Sequence, residues 1–340
     1  MITGCSYFGI RNPEYAVLDY RRMKVNGANA VLLTFGENDV EYYLETMREL
    51  VRLAHDEGLL IYMNPWGVAK VFGGESDSAL IARHPDEMQV DLQGDRAPAL
   101  CVNSPAFYDY MLRWIDKAAY CGADILMWDE PHFFIYSWYR YFPERYGRLT
   151  CFCHHCQQKF TEQFQQPMPK QINDQVMQFR HNSVVELLQR LARQTRDRGL
   201  KNSACILPPL LDNRHGGIID FEDVFHIPEM DIIATDPYWQ VEDGEQVVRE
   251  QYSQNAEMLV KLAQKYQKEP EIWIKNYAIA AGTEYFVRLA TEISFAAGIR
   301  RILAWSYLGS AYMSYIRSAD PLKVFKLQAE AFKQCQQKVK

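Results

Sequence analysis

Two neighbouring carboxylates follow an apolar run in the segment DILMWDEPHF, residues 124–133. Residues 125–128 have the composition of a buried strand, and Asp129 and Glu130 come directly after them. The segment ATDPYW repeats this order, with Asp236 between an apolar run and a proline. Hydrolysis of a glycosidic bond requires one carboxyl group that protonates the leaving oxygen and a second that acts as nucleophile or base. We therefore predict that Asp129, Glu130 and Asp236 are the catalytic residues of a glycoside hydrolase.

Three cysteines lie within six residues in the segment LTCFCHHCQQKF, and a fourth lies in PALCVNSP. Clustered thiols indicate a metal site more than disulfides, and four thiolates are a ligand set of structural zinc. Four protein ligands leave no open coordination position, so this zinc would hold two loops together and would not activate water. Either His154 or His155 could replace one thiol. The predicted zinc ligands are Cys101, Cys151, Cys153 and Cys156.

Eight short apolar runs alternate with amphipathic helical segments along the chain. Eight strands that alternate with helices are typical of a closed parallel barrel. We therefore predict an α/β fold, a single (β/α)8 TIM barrel domain over residues 1–340. An open doubly wound sheet is the alternative, but the first run carries no glycine-rich dinucleotide turn. The predicted strands span residues 2–9, 29–36, 59–67, 124–130, 202–209, 231–239, 271–278 and 301–309.

The ends of the helical segments carry the expected start and stop residues. Pro13 and Gly27 bound the first segment, Asp39 is a candidate N-cap of a segment that ends at Gly58, and Asp320 is the candidate cap of the last helix. Two connections are long, one after the third strand from residue 67 to about 105 and one after the fourth from 131 to about 169. Loops that follow barrel strands form the active-site face, so we expect the site there.

Side chains suited to sugar recognition accompany the acids at the predicted strand ends, so the predicted substrate is a carbohydrate. A sugar ring packs its C–H face on aromatic rings, and Trp66, Trp239 and Trp305 are the predicted platforms. Lys275 could bind a hydroxyl or an anionic substituent, pair with Asp236, or form a Schiff base. The predicted substrate-binding residues are Glu37, Trp66, His132, Tyr238, Trp239, Lys275 and Trp305.

The order LCVNSPAFYDYMLRW, a strand that ends in acids, and CFCHHCQQKF resembles the catalytic barrel of family 42 β-galactosidases. The resemblance implies a barrel whose four cysteines hold zinc, and an acid/base at Glu130. In that family the fourth strand ends in Asn-Glu and a second glutamate ends the seventh, whereas here Asp129 replaces the asparagine and Lys275 and Asn276 stand at the seventh strand. The phrases TFGEND, NPWGVAKVFGGE and WDEPHF also resemble uncharacterised glycosidase-like bacterial barrel proteins.

Two assignments of the acids follow. A strand-four and strand-six pair of aspartates resembles the clan of α-galactosidases and α-glucosidases, which implies that Asp129 attacks and Asp236 protonates. In the other assignment Glu130 protonates while Asp236 or Glu37 activates water; Asp39 and Glu75 are reserve candidates. The alternatives to hydrolysis are a sugar-binding barrel without catalysis and a Schiff-base lyase or aldolase that uses Lys275.

Composition limits the partners and the compartment. The chain has 340 residues and a net charge of −6, without a basic cluster that could follow a phosphate backbone, so we expect no nucleic-acid partner. An apolar run of membrane-spanning length is absent, and the start MITGCSYFGI lacks the features of a secretory signal. We therefore expect no membrane partner and a cytoplasmic location. The loop 133–148 is dense in aromatic residues, which predicts a subunit interface and a homo-oligomer.

Overall fold

A closed barrel of parallel strands forms the centre of the fold in the computed structural model, which describes residues 1–208 and 215–339. The strand order around the barrel is β1, β2, β3, β6, β7, β8, β9 and β10, which closes on β1. A short antiparallel pair, β4 and β5, lies in the connection after β3. The predicted (β/α)8 barrel is thereby confirmed. The strands are β1 (Ile2–Tyr7), β2 (Ala30–Thr34), β3 (Leu60–Asn64), β4 (Met88–Val90), β5 (Arg96–Leu100), β6 (Ile125–Asp129), β7 (Lys201–Ile206), β8 (Ile232–Thr235), β9 (Glu269–Lys275) and β10 (Arg301–Trp305).

Helices surround the barrel and pack against the outward-facing residues of its strands. They are α1 (Pro13–Val25), α2 (Glu37–Tyr42), α3 (Leu44–Asp56), α4 (Ala79–Arg83), α5 (Pro105–Cys121), α6 (His154–Phe164), α7 (Asp174–Asp197), α8 (Glu222–Phe225), α9 (Glu245–Tyr266), α10 (Phe286–Ala296) and α11 (Pro321–Gln337). None of the described helices is both long and apolar enough to cross a membrane.

The helix ends confirm two of the predicted start signals and correct a third. Pro13 is the first residue of α1, and the Asp320 carboxylate accepts a hydrogen bond from the Lys323 amide at 3.0 Å as the cap of α11. Asp39, predicted as an N-cap, instead lies in the first turn of α2, where its carboxylate accepts a hydrogen bond from the Gly36 amide at 2.9 Å. The N-cap is Gly36, three residues earlier than predicted.

Every predicted barrel strand is present, but all eight end earlier than the sequence indicated. The predicted strand 231–239 ends at Thr235, and the predicted strand 202–209 ends at Ile206, with residue 209 outside the described part of the chain. Pro237 cannot donate a ladder hydrogen bond, so the apolar residues beyond it cannot continue β8.

Alternation along the strands decides which side chains enter the barrel. Ile125 and Met127 of β6 and Ile232 and Ala234 of β8 belong to the apolar interior, so the next inward positions are Asp129 and Asp236. At the opposite end the buried Glu271 accepts a hydrogen bond from Tyr62 at 2.6 Å and pairs with Arg301 at 3.3 Å. The interior thus carries one paired acid at its amino end and further acids next to its mouth.

Candidate active site and metal centre

Three carboxyl groups meet at the carboxyl end of the barrel. Asp129 and Asp236 face inward from β6 and the end of β8, and both are buried. Glu130 has a φ of +41°, a left-handed conformation that turns the chain, and its amide donates to the Cys205 carbonyl at 2.8 Å. This turn brings the Glu130 carboxyl group into a hydrogen bond with that of Asp236. The predicted convergence of strand-four and strand-six acids is therefore present.

Burial and mutual repulsion hold protons on these acids. Burial is the main cause that raises the pKa of Glu130 well above its usual range, and the neighbouring Asp236 raises it further. Burial likewise raises the pKa of Asp236 to about 7, against the hydrogen bond from Glu130, which favours the charged form. The pKa of Asp129 is raised by burial and by Glu130, while the hydrogen bond from Asn64 opposes the shift. The cluster therefore combines an acid that has a fixed amide donor with a pair that shares a proton.

Asn64, which the sequence analysis missed, positions Asp129. It is the last residue of β3, it is fully buried, and its Nδ2 donates to Asp129 Oδ2 at 2.9 Å. Its Oδ1 has no hydrogen-bond partner among the described residues, and neither has Asp236 Oδ1. Buried polar atoms are normally satisfied, so both oxygens are available to a bound molecule. A polar residue at an inward position of an apolar strand was the available signal.

Two adjacent glycines let the loop after β3 approach the acids. The Gly73 amide donates to the Asp129 carbonyl at 2.9 Å, and a Cβ built on Gly73 would lie 2.8 Å from Glu130 Oε2. Gly74 has a φ of +122°, and a Cβ there would lie 2.0 Å from the Trp66 ring. The pair of glycines in the loop is therefore required by close contact with the acid cluster and with a predicted platform.

Two of the three predicted tryptophan platforms lie at the mouth. The Phe8 ring stacks on Trp66 and on Trp305, with ring centroids 5.5 Å apart in each case. Trp66 Nε1 donates to the exposed Glu75 at 3.2 Å. Tyr238, also predicted, packs edge-on against the ring of Tyr277 at 5.4 Å. These rings form an aromatic border around the acids.

Trp239, the third predicted platform, is a core residue. It is only 2% exposed and packs edge-on against Tyr252 of α9 and Phe286 of α10. β8 ends at Thr235, and the Tyr238 amide donates to the Asp236 carbonyl at 2.6 Å, so the chain turns at Pro237 before it reaches Trp239. Beyond this turn the Trp239 ring packs outward, against the helices.

Lys275 lies inside the mouth but does not pair with the acid that was proposed for it. Its Nζ donates to the Trp239 carbonyl at 2.6 Å and lies 5.2 Å from the centre of the Tyr277 ring. Within the described part of the chain no ion pair joins it to Asp236. Burial lowers the pKa of Lys275 to about 8. Its ammonium group is therefore held by a carbonyl at the edge of the site.

Glu37, predicted to bind substrate, stabilises the loop after β3 instead. Its Oε1 accepts hydrogen bonds from the Ala69 amide at 3.0 Å and from Ser78, and its Oε2 accepts one from the Leu80 amide at 2.9 Å. A carboxylate with three internal donors on both of its oxygens has little capacity left for a ligand. This corrects the prediction, because the residue follows β2 but turns away from the mouth.

His132 lies next to Glu130 as a buried, neutral imidazole. It is 1% exposed, and burial lowers its pKa to about 4. Its Nδ1 bonds to the Glu130 carbonyl, which can only accept, so Nδ1 carries the hydrogen and Nε2 is an acceptor. Nε2 has no partner among the described residues. Lys70, which the sequence analysis missed, is a buried cation in the loop after β3, and its charge also lowers the pKa of His132.

The four predicted zinc ligands form one buried group. Their sulfur atoms all lie within 4.8 Å of one another, and all eight cysteines are free. Four ligands about 2.3 Å from a central ion would have sulfurs about 3.8 Å apart, so the spacing fits a tetrahedral metal. The Asn103 amide and its side chain each donate to a sulfur, Cys101 and Cys156 respectively, at 3.3 Å. Such donors are the environment that bound thiolates require, and the group could bind a metal ion.

The histidines between these cysteines are not part of the group. His155 Nε2 bonds to Glu87 at 2.7 Å, and His154 stacks beside it, with ring centroids 3.9 Å apart. All four thiols converge, so the considered replacement of one thiol by a histidine is not needed. The bridge between Asp91 and Thr150 joins the loops that carry the cysteines. The metal group therefore links the connections after the third and fourth barrel strands.

The aromatic loop 133–148 is partly core and partly surface. Phe134 and Tyr136 are buried with Ala97 and Ala99 of β5, whereas Trp138 is 43% and Tyr141 is 71% exposed. The buried half explains much of the aromatic density without a partner. That the exposed half joins two copies of the chain stays a prediction.

No family model and no curated protein matches the sequence. Solved structures match over nearly the whole chain at low identity. An endo-1,4-β-mannanase from Rhizomucor miehei has a TM-score of 0.61 at 8% identity, with 98% of this chain and 95% of that one covered. A GH5_18 protein from Streptomyces cattleya in complex with GlcNAc has a TM-score of 0.58 at 11% identity, with 98% of this chain and 80% of that one covered. A D-psicose 3-epimerase from Clostridium cellulolyticum has a TM-score of 0.51 at 10% identity, with 99% of each chain covered.

The chain therefore shares its barrel with glycoside hydrolases and with sugar epimerases. At such identities the likeness is one of fold, and the chemistry has to be argued from the site.

Proposed function

We propose that the protein is a retaining glycoside hydrolase that acts on a small glycoside. The observation that carries the proposal is the meeting of Asp129, Glu130 and Asp236 at the carboxyl end of the barrel, where active sites of this fold lie. The aromatic border of the mouth supports a carbohydrate as the substrate. The unpartnered Oδ1 of Asn64 offers an acceptor for a sugar hydroxyl, and the unpartnered Oδ1 of Asp236 could carry the proton that this residue donates.

Asp129 is the nucleophile in this proposal. The proposal requires Asp129 to react in its charged form, which the hydrogen bond from the Asn64 amide to Oδ2 favours against burial and Glu130, which raise its pKa. Asp129 would attack the anomeric carbon while the bond to the leaving oxygen breaks and Asp236 donates its proton to that oxygen. Water would then give a proton to Asp236 and displace Asp129, so the product keeps the configuration of the substrate. A pKa of about 7 suits Asp236 to both proton transfers near neutral pH.

Glu130 acts as a positioning residue. Its protonated carboxyl group donates a hydrogen bond to Asp236 and so holds the acid/base in one orientation. His132 fixes Glu130 in turn through the carbonyl of that residue. We assign Asp236 and not Glu130 as the acid/base, because Asp236 lies at the inward position that follows its strand.

We also propose that the four-cysteine group holds zinc in a structural role. The supporting observations are its complete set of thiol ligands, their burial and the amide donors from Asn103. Bound there, the metal would tie the two loops that build one side of the mouth. It would contribute no reactive position because four ligands saturate it.

The proposal is tested by turnover of a panel of aryl glycosides, with the anomer of the product followed by NMR at early times. Hydrolysis with retention supports it. Binding of free sugars in calorimetry without hydrolysis of any panel member would identify a sugar-binding barrel instead. Borohydride trapping of Lys275 by a carbonyl substrate would identify a Schiff-base enzyme.

A further inference from the structure

A cavity of about 600 Å³ opens beside the mouth of the barrel. It lies between the loop after β1, helix α1 and the loops after β3 and β10, and this volume is within the range of small-molecule sites. Apolar side chains form most of its wall. The lining residues that matter here are Phe8, Tyr15, Leu18, Asp19, Trp66 and Tyr312.

The cavity shares a wall with the acid site. Phe8 and Trp66 line it, and Phe8 is stacked between Trp66 and Trp305 of the aromatic border. Trp66 also donates to Glu75, whose charge acts on Glu130. The cavity and the acid site therefore have the aromatic border in common.

The charged group of the cavity is already hydrogen-bonded. Asp19 is the single charged residue among its lining residues, all of which the structure describes. Its two carboxylate oxygens accept hydrogen bonds from the hydroxyls of Tyr7 at 2.8 Å and Tyr307 at 2.7 Å. The cavity thus offers neither a free cation nor a free carboxylate for a second sugar unit or an anionic group.

The rim of the cavity exposes apolar surface to water. Tyr15 is 64%, Leu18 58% and Tyr312 69% exposed, and they come from α1 and from the loop after β10. An exposed apolar cluster next to a polar site is typical of a surface that a ligand covers.

We propose that this cavity binds the aglycone of the substrate, and that the substrate class is a glycoside with an aromatic or alkyl aglycone. The inference rests on the proposed hydrolysis at Asp129 and Asp236. The sugar would lie over the acids with its leaving oxygen toward the Trp66 and Phe8 border. The apolar group would lie beyond that border against Leu18 and Tyr312.

The test compares methyl and octyl glycosides of whichever sugar the aryl panel identifies. We expect kcat/KM for the octyl glycoside to exceed that for the methyl glycoside by about tenfold or more, since burial of each methylene is favourable. Leu18→Asp should lower the octyl value about fivefold or more and leave the methyl value unchanged. Leu322→Asp is the matched control, because Leu322 is 62% exposed on α11 and lies outside the cavity lining.

A second measurement separates this inference from the hydrolysis proposal. Binding of octyl β-D-glucopyranoside is followed by tryptophan fluorescence, with methyl β-D-glucopyranoside as reference. Binding that weakens in Leu18→Asp and persists in Leu322→Asp supports the apolar subsite even if no glycoside is hydrolysed. The apolar subsite would be overturned if the octyl and methyl glycosides had equal kcat/KM and equal affinity. It would also be overturned if Leu18→Asp and Leu322→Asp weakened the octyl glycoside equally.

Discussion

The carboxyl groups of Glu130 and Asp236 share a hydrogen bond, although the two residues leave barrel strands that are not neighbours. The contact depends on the left-handed turn at Glu130, which redirects a side chain that would otherwise point away from Asp236. A carboxyl pair of this kind holds a proton at a pH where isolated acids have lost theirs. The proposed chemistry follows from this pair and from the separate carboxylate of Asp129.

Substitution of Glu130 tests its positioning role. Glu130→Gln keeps a donor for Asp236, so we expect kcat within about tenfold of wild type and an unchanged alkaline limb of the pH profile of kcat/KM. Glu130→Ala removes the donor that favours the charged form of Asp236. It should lower kcat about 100-fold and move the alkaline limb to higher pH. Equal losses of about 1000-fold in both variants would make Glu130 itself the proton donor.

The pKa of Asp236 predicts how stability depends on pH. Burial raises this pKa from 3.8 to about 7, so the folded protein keeps a proton that the unfolded chain releases from about pH 4 upward. The stability contributed by that proton is complete below about pH 4 and is lost as the pH rises through 7. Asp236→Asn should therefore become more stable than wild type between pH 4 and 8, by at most about 4 kcal/mol.

Urea unfolding at pH 4, 6 and 8 measures this difference. Asp109→Asn, an exposed acid on α5, is the control and should show no growing gap with pH. A gap between Asp236→Asn and wild type that shrinks as the pH rises would contradict the prediction.

Gly73→Ala tests the close approach of the loop after β3. The added Cβ would contact Glu130 Oε2, the mobile end of a side chain, so Glu130 is displaced while the backbone remains. We expect kcat to fall about tenfold or more with a change in the free energy of unfolding of less than about 1 kcal/mol. Gly244→Ala is the matched control, since a Cβ there meets no atom within 4 Å. Equal activity of the two variants would remove the proposed contact.

The four-cysteine group predicts that the protein contains zinc and that loss of the zinc lowers the free energy of unfolding. Wild-type protein should contain one zinc per chain by elemental analysis. Cys101→Ser should lose the metal and lower the free energy of unfolding by more than about 3 kcal/mol. Cys335→Ser, an equally buried residue on α11, should keep the metal and cost about 1 kcal/mol. The assignment would be contradicted if removal of the metal from the wild-type protein left its free energy of unfolding unchanged.

The residues that sequence reasoning placed correctly are those whose position follows from a strand or from chain spacing. Asp129 and Asp236 occupy inward positions at strand ends, and the cysteines lie close together in the chain or in an adjoining loop. Trp239 lies beyond the end of β8, after a turn at Pro237, and its ring packs against α9 and α10. The predicted strand 231–239 had not allowed for this turn.

Other features could not be obtained from the sequence. The turn of Glu37 toward Ala69 and Leu80 depends on how the loop after β3 folds back, which no local pattern encodes. The same is true of Lys275, whose inward position is clear but whose ammonium group bends to the Trp239 carbonyl. Long-range contacts of flexible side chains decided both outcomes.

The central claim is that Asp129 and Asp236 carry out hydrolysis together. Turnover of the best aryl glycoside by Asp129→Asn and by Asp236→Asn tests it most directly, with Asp109→Asn as the control. We expect kcat to fall about 1000-fold in each of the first two variants while sugar binding persists, and to stay at the wild-type value in the control. Turnover within about tenfold of wild type in either Asp129→Asn or Asp236→Asn would contradict the account.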